Sequence, residues 1–277
     1  MTLIFLGTSS GAGKTTLTAM YCRYLSLKGE KVAPFKASNL SLNSFVTKDG
    51  KEIGMGQAFQ AWASGIEPTG DMNPILLKPS GDGNIQLILN GELHSDISKE
   101  HPMDVGYATK EACKAFDKLQ KEYGTVVCEG SGSPAELNLR DRDIANIGMV
   151  RERKIPAVLV GDIERGGVFA ALYGTWLLFP DDLKPYLKGF VINLFRGDAE
   201  ILKKGTDRIE ELTGMRFLGV VPRLDLKFPE EDSLSRTDGR LVGSDMRKAF
   251  IDNLDVLLHE AEKNGLDLAE LDKMTGN

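Results

Sequence analysis

Residues 7–16 of the 277-residue chain read GTSSGAGKTT, a spacing suited to holding a phosphate. A Gly-rich turn offers backbone N–H groups to phosphate oxygens, and the free N–H groups at the start of a following helix add to them. Gly11, Ala12, Gly13 and Thr16 would line that turn, Lys14 would reach the terminal phosphates, and Thr15 would hold Mg2+. The motif is shifted: Thr8 stands where the first Gly usually falls, with Gly7 before it. Ser9 stands where partitioning ATPases with a second P-loop lysine carry that residue.

Three further clusters follow apolar runs that read as strands. KASNLSLNS, 36–44, places Lys36 where a cation stabilises a phosphoryl group in transfer, with Ser41, Asn43 and Ser44 as polar groups for a substrate. Asp49, in Lys48-Asp49-Gly50, reads by itself as a turn. VVCEGSGSPAELNLRDRD, 126–143, ends its apolar run in Glu129, a carboxylate placed to hold Mg2+ directly or through water. Asp141 is a candidate cap for the helix after it. In GDIERGGVF, 161–169, Asp162 is a second carboxylate and Arg165 a candidate anion clamp. INLFRGD, 192–198, offers Asn193, with the donor and acceptor that an adenine edge needs. His94, His101 and His259 make no metal-spaced set, and His94 and His101 fall in a polar loop.

The elements that must position these residues alternate. Strands are expected at 3–6, 31–35, 125–129, 156–161, 189–193 and 217–221. Helices are expected at 15–28, 53–64, 106–122, 141–152, 167–177, 207–212 and 244–264. This order predicts an α/β fold, a mostly parallel sheet with helices on both faces. Segment 72–92 breaks the rhythm and reads as a strand pair or insertion at the sheet edge. Residues 1–234 are expected to form one P-loop domain and 235–277 a polar extension with one helix, which docks on the domain or serves a partner.

With 34 basic and 40 acidic residues the net charge is -6, which gives no support for nucleic acid as a partner. No apolar stretch is long enough for a membrane span, and the expected setting is cytoplasmic. Cys22, Cys113 and Cys128 form no CxxC pair and are expected as buried free thiols. Trp62, Phe169, Tyr173 and Trp176 read as core or as subunit contacts, and the aromatic stripe on the helix near 169–176 is open to two readings, a homodimer contact or a face packed on the sheet.

The motifs GTSSGAGKT, PFKASNLSLNSFV, DMNPILLKP, EGSGSPAELNLRDRDIANIG, VGDIERGGVFAALYGT, VINLFRGD and LGVVPRLDLKFPEEDSL occur in the order seen in the N-terminal synthetase domain of cobyric acid synthases. The chain resembles that family from its start to near 234, and more distantly dethiobiotin synthetase. The resemblance implies a P-loop NTPase fold and an ATP-dependent ligase. Such a ligase phosphorylates a side-chain carboxylate of a tetrapyrrole such as cobyrinate a,c-diamide, and ammonia then displaces the phosphate. By position it implies Lys14, Lys36 and Glu129 as catalytic. Thr15, Asp49 and Glu129 would hold Mg2+, and Asn193 and Arg223 would lie against ATP. Asp71, Asn73, Lys78 and Ser133 would line the substrate side with Ser41, Asn43 and Ser44. Ser38, Leu40 and Leu194 stand where relatives usually carry Gln, Met and Lys. Family members continue into a glutaminase domain with a Cys nucleophile, and none of the three Cys here lies in such a site. The expectation is that ammonia arrives free or from a separate glutaminase subunit. Two other readings stay open: a ligase for a different carboxylate, and a nucleotide-switched binding protein.

Overall fold

The structure, a computed structural model, describes residues 1–81, 84–226 and 245–275. The chain opens with β1 (Thr2–Gly7), α1 (Lys14–Leu27) and β2 (Val32–Phe35), then β3 (Ser38–Leu40), β4 (Ser44–Val46), β5 (Glu52–Gly54) and α2 (Met55–Ala63). Next come β6 (Ile75–Gly81), β7 (Asn84–Leu89), β8 (Glu92–Ile97), α3 (Val105–Tyr123) and β9 (Thr125–Glu129). The remainder holds α4 (Met149–Arg153), β10 (Ala157–Asp162), α5 (Val168–Leu178), β11 (Leu187–Phe195), α6 (Lys203–Thr213), β12 (Arg216–Pro222), α7 (Met246–Lys263) and α8 (Leu268–Met274).

Six strands pair in parallel in the order β12-β11-β10-β1-β9-β2. Both faces of this sheet are covered, and the strand sequences show why. Along β1, Leu3 and Phe5 join one core while Ile4 and Leu6 join the other. Along β9, Val127 faces the first and Val126 and Cys128 the second. The period of two sends alternate apolar side chains to opposite faces, so a strand buried on both sides is apolar throughout. The core on one face is closed by α1, α2, α7 and α8, and the opposite core by α3, α4, α5 and α6. Each fully buried Leu, Ile or Phe in these layers contributes about 1.5–3 kcal/mol.

Local signals set the helix ends. Asp104 accepts from Tyr107 N at 2.9 Å and starts α3, whose buried Ala108, Ala112, Ala115, Phe116 and Leu119 recur every three or four residues. Gly124, at φ 79°, stops it. α7 and α8 dock on the domain: Asp272 of α8 accepts from Tyr21 Oη at 2.9 Å, Tyr24 Oη at 3.0 Å and Lys28 Nζ at 2.5 Å, all on or just after α1. The expected single terminal helix is therefore a pair seated on the helix that follows the phosphate motif. The expected boundary at 234 lies outside the described residues.

Three expectations are corrected. Segment 72–92 holds the expected strand pair, β6 with β7, but not at an edge of the main sheet; with 92–97 and β3 it builds a separate sheet, ordered β3-β6-β7-β8. β3 and β4 lie between 38 and 46, where no strand is expected, because the chain leaves β2 to pair with β6 and then with β5. The helix expected at 141–152 is a 3-10 turn at Leu137–Arg142, a π-turn at Ile144–Gly148 and the short α4. Asp143, not Asp141, is the cap, accepting from Asn146 N at 2.8 Å. The cysteines are buried and free as expected, and burial pushes the Cys22 thiol up to about 12.

Candidate functional site

β1 lies between β10 and β9, where the strand order reverses, and residues 8–13 form the turn at its carboxyl end. In open α/β sheets this is the crevice where ligands bind. Gly13 caps α1 with φ 99°, and a Cβ there would overlap the Asn193 amide. Asn193 Nδ2 donates to Ala12 O at 2.9 Å, so the end of β11 grips the turn directly. The next residue, Leu194, sits in the left-handed region at φ 60°, a conformation that costs about 1 kcal/mol in a non-glycine residue. Lys14 folds back over the turn and donates to Ser9 O at 3.1 Å and Gly132 O at 2.8 Å.

Glu129 ends β9 beside this turn with its side chain fully buried. Lys36, leaving β2, donates to its Oε1 at 2.8 Å, and Thr15 Oγ1 donates to the same oxygen at 2.8 Å. The other oxygen accepts from Gln60 Nε2 at 2.6 Å and Gln57 Nε2 at 3.3 Å, both on α2. Gln60 Nε2 also reaches Thr15 O at 3.3 Å, and Gln60 Oε1 is buried without a partner among the described residues. Charge-assisted bonds of this kind are what make a buried carboxylate tolerable. A hydroxyl and a carboxylate oxygen are hard donors, and an unmet buried acceptor beside them suits the water of a small divalent cation. Thr15 and Glu129 thus fit Mg2+. Among the described residues no three His, Cys, Asp or Glu side chains group as a metal cage.

The loop after Glu129 is latched from the π-turn at Ile144–Gly148, inside the span expected as a helix. Asn146, in the π-turn, accepts from Ser131 N at 3.0 Å and donates to Ser131 O at 2.7 Å. Its partner Asp143 is buried enough that its carboxyl lies above the usual carboxylate range. Across the turn, a Cβ on Gly11 would stand 4.0 Å from the Arg165 guanidinium, which pairs loosely with Asp162 at 3.5 Å. Glu164 pairs with both Arg196, at 2.6 Å, and Arg223. Arg223 is thereby held at the β11–β12 end of the crevice, with its N donating to Phe195 O at 2.8 Å.

Other expected site residues are placed differently. Asp49 does not join Thr15 and Glu129; it sits on the exposed turn between β4 and β5 and accepts from Thr47 Oγ1 at 2.5 Å. Asp71 is paired with Lys118 of α3. Asn73 is fully buried and acts as a bracket, donating to Lys36 O at 2.9 Å and Ile75 O at 3.1 Å while accepting from Gly54 N at 2.9 Å. It therefore fixes the strand end that carries Lys36. Lys78 pairs with Glu52, which also accepts from Ser44 Oγ at 2.5 Å. Ser41 is buried, with Oγ accepting from Asn43 N at 3.0 Å, and Ser133 Oγ accepts from Ala135 N at 3.2 Å. Gln57, Gln60 and Asn146 are the members the sequence reading missed. Polar residues three apart on the buried side of an apolar helix were the available signal for the glutamines.

Residues 3–234 match the family described as CobQ/CobB/MinD/ParA nucleotide binding domain. A probable cobyric acid synthase of Methanoculleus marisnigri is 50% identical over 254 residues, 91% of this chain and 52% of that protein. A second, from Methanoregula boonei, is 54% identical over 252 residues, again 91% of this chain and 52% of that protein. The chain thus spans about half the length of these curated relatives. A solved MinC:MinD cell division protein complex from Aquifex aeolicus aligns at TM-score 0.48 with 14% identity, over 98% of this chain and 95% of that one.

Proposed function

The chain belongs to the CobQ/CobB/MinD/ParA nucleotide-binding domain family, and from that premise we propose that it is the synthetase part of a cobyric acid synthase-like, ATP-dependent amide ligase. The observation that carries this reading is the buried Lys36–Glu129–Thr15 cluster set against the phosphate turn. Its acceptor is a side-chain carboxylate of a corrinoid such as cobyrinate a,c-diamide, and its nitrogen donor is ammonia, free or delivered by a glutaminase. Identity of 50–54% to probable cobyric acid synthases supports the substrate class.

A carboxylate oxygen is a poor leaving group, so it is converted to one that can depart. The acceptor oxygen bonds to the γ-phosphorus of ATP as the bond to the bridging oxygen breaks, and ADP leaves. Ammonia then adds to the acyl carbon, loses a proton, and expels phosphate carrying the former carboxylate oxygen. Lys14 and Lys36 hold positive charge where negative charge spreads over the moving phosphoryl. Thr15 and Glu129 would hold Mg2+, which would supply positive charge against the phosphate oxygens. Asn193 steadies the turn on the base side of the crevice, with ATP the nucleotide expected over GTP.

Incubation with Mg-ATP, ammonium salt and cobyrinate a,c-diamide tests the proposal, with the acceptor followed by mass. Amide product that needs both ATP and ammonium is expected. ATP binding without amide on any corrinoid carboxylate, together with a partner retained only in the nucleotide-bound state, favours the switch reading instead.

A further inference from the structure

Neither oxygen of the Glu129 carboxylate is left to the strand end alone to aim. Oε1 faces Lys36 and Thr15, each at 2.8 Å, while Oε2 is taken by two glutamine amides from a different element, α2. Gln57 and Gln60 lie one helical turn apart, both are fully buried, and both point at one oxygen. Gln57 is itself held, with Oε1 accepting from Asn39 Nδ2 of β3 at 3.3 Å. Gln60 reaches the first turn of α1 through Thr15 O, and its own Oε1 remains an unmet buried acceptor among the described residues. A carboxylate that needed only neutralising would be served by Lys36. Two amides on one oxygen do something further: they fix its rotation about the terminal bond.

We infer that Gln57 and Gln60 are positioning residues for cation-dependent nucleotide binding. They pin Oε2 of Glu129, so that Oε1 is presented beside the Thr15 hydroxyl. The inference rests on the reading of Thr15 and Glu129 as holding Mg2+, and it assigns α2 a role in the site that no motif had given it. The unmet Gln60 Oε1 adds an acceptor on the same side, suited to a water on the cation. Partners that orient a metal-holding carboxylate typically cost about 10–100-fold in metal affinity when removed.

Isosteric Gln60→Met and Gln57→Met variants of the 277-residue chain test this by calorimetric titration of ATP at graded Mg2+ concentrations and in chelator. The Mg2+ concentration needed to tighten ATP should rise about 10–100-fold in Gln60→Met, well beyond any change in metal-free ATP affinity. A role confined to stability does not move that Mg2+ requirement. Gln57→Met, whose bond is longer, should shift it in the same direction by less, and keeps the test open if Gln60→Met does not fold. Folded variants with parental Mg2+ dependence overturn the inference, as does equal loss of metal-free binding, or a parent protein whose ATP binding ignores Mg2+. No acceptor is present, so a failure to amidate corrinoids counts against the ligase proposal and leaves this one standing.

Discussion

Replacing Lys36 by Met removes one member of an ion pair whose two side chains are 5% and 0% exposed and whose atoms are 2.8 Å apart. At an effective dielectric of about 20 the direct attraction is about 6 kcal/mol, but the desolvation of both charges offsets much of it. What a single substitution exposes is the cost of the charge left behind, about 3–5 kcal/mol for a buried pair. Thr15, Gln57 and Gln60 still donate to Glu129, so the lower end of that range is expected. For a domain of this size that lowers the melting midpoint by roughly 6 °C or more. Glu129→Gln alone should cost a similar amount, since Lys36 is then buried against a neutral amide. The double variant Lys36→Met with Glu129→Gln leaves no orphaned charge and should recover most of the loss, giving a coupling energy of about 2 kcal/mol or more. Denaturant melts of the four proteins measure it. Turnover should behave differently: all three variants should fall by roughly 100-fold or more, with no recovery in the double. Additive stability losses would falsify the buried-pair account, and recovered turnover in the double variant would remove both residues from the chemistry.

Three more outcomes follow from particular contacts. Burial acts to raise the Glu52 carboxyl, but Lys78 and Ser44 outweigh it, and the group lies below its ordinary value of 4.5. Its contribution is therefore present above that value and lost as the pH falls through the lowered one, and thermal melts against pH should show a flatter acid limb for Glu52→Gln. Asn193→Ala should weaken ATP by about tenfold through the loosened turn, with loss of one buried hydrogen bond as the cause; unchanged affinity in a calorimetric titration would contradict it. Asp272→Ala should free α8 from α1 and raise amide exchange across α8 and Tyr21–Lys28 before the central sheet opens; uniform exchange across the chain would refute a separable clamp.

The main sheet was legible because its strands are apolar on both faces, and Leu3 to Leu6 or Val126 to Cys128 leave little else to be. The P-loop and Glu129 were legible because motif and strand end coincide. Burial at those strand ends was not. Lys36 and Glu129 read only as strand-end residues, yet both are buried, because α2 folds over them from outside the strand pattern. The glutamines on α2 carry no charge, and their three-residue spacing on the buried face does not by itself name a carboxylate as their partner. Asp49 and Asp71, acidic residues beside a recognised motif, meet Thr47 and Lys118, partners that the motif does not indicate. Asn73 was read as substrate-facing because it lies in DMNPILLKP, whereas its three backbone partners converge only after β2, β5 and β6 assemble. β3 and β4 escape the sequence pattern because they are three residues each, and β3 pairs with the distant β6. Short strands of this kind show too few alternations to register as a period.

The central claim is that the site moves a phosphoryl group from ATP onto a carboxylate before nitrogen arrives. A corrinoid acceptor with heavy oxygen in its carboxylate, turned over with Mg-ATP and ammonium, tests it most directly. Transfer through an acyl phosphate requires one acceptor oxygen to leave with phosphate. Mass spectrometry should therefore find one heavy oxygen in the inorganic phosphate for each amide formed, and none in ADP. Amide formed with unlabelled phosphate, or with the heavy oxygen in AMP, would contradict the account.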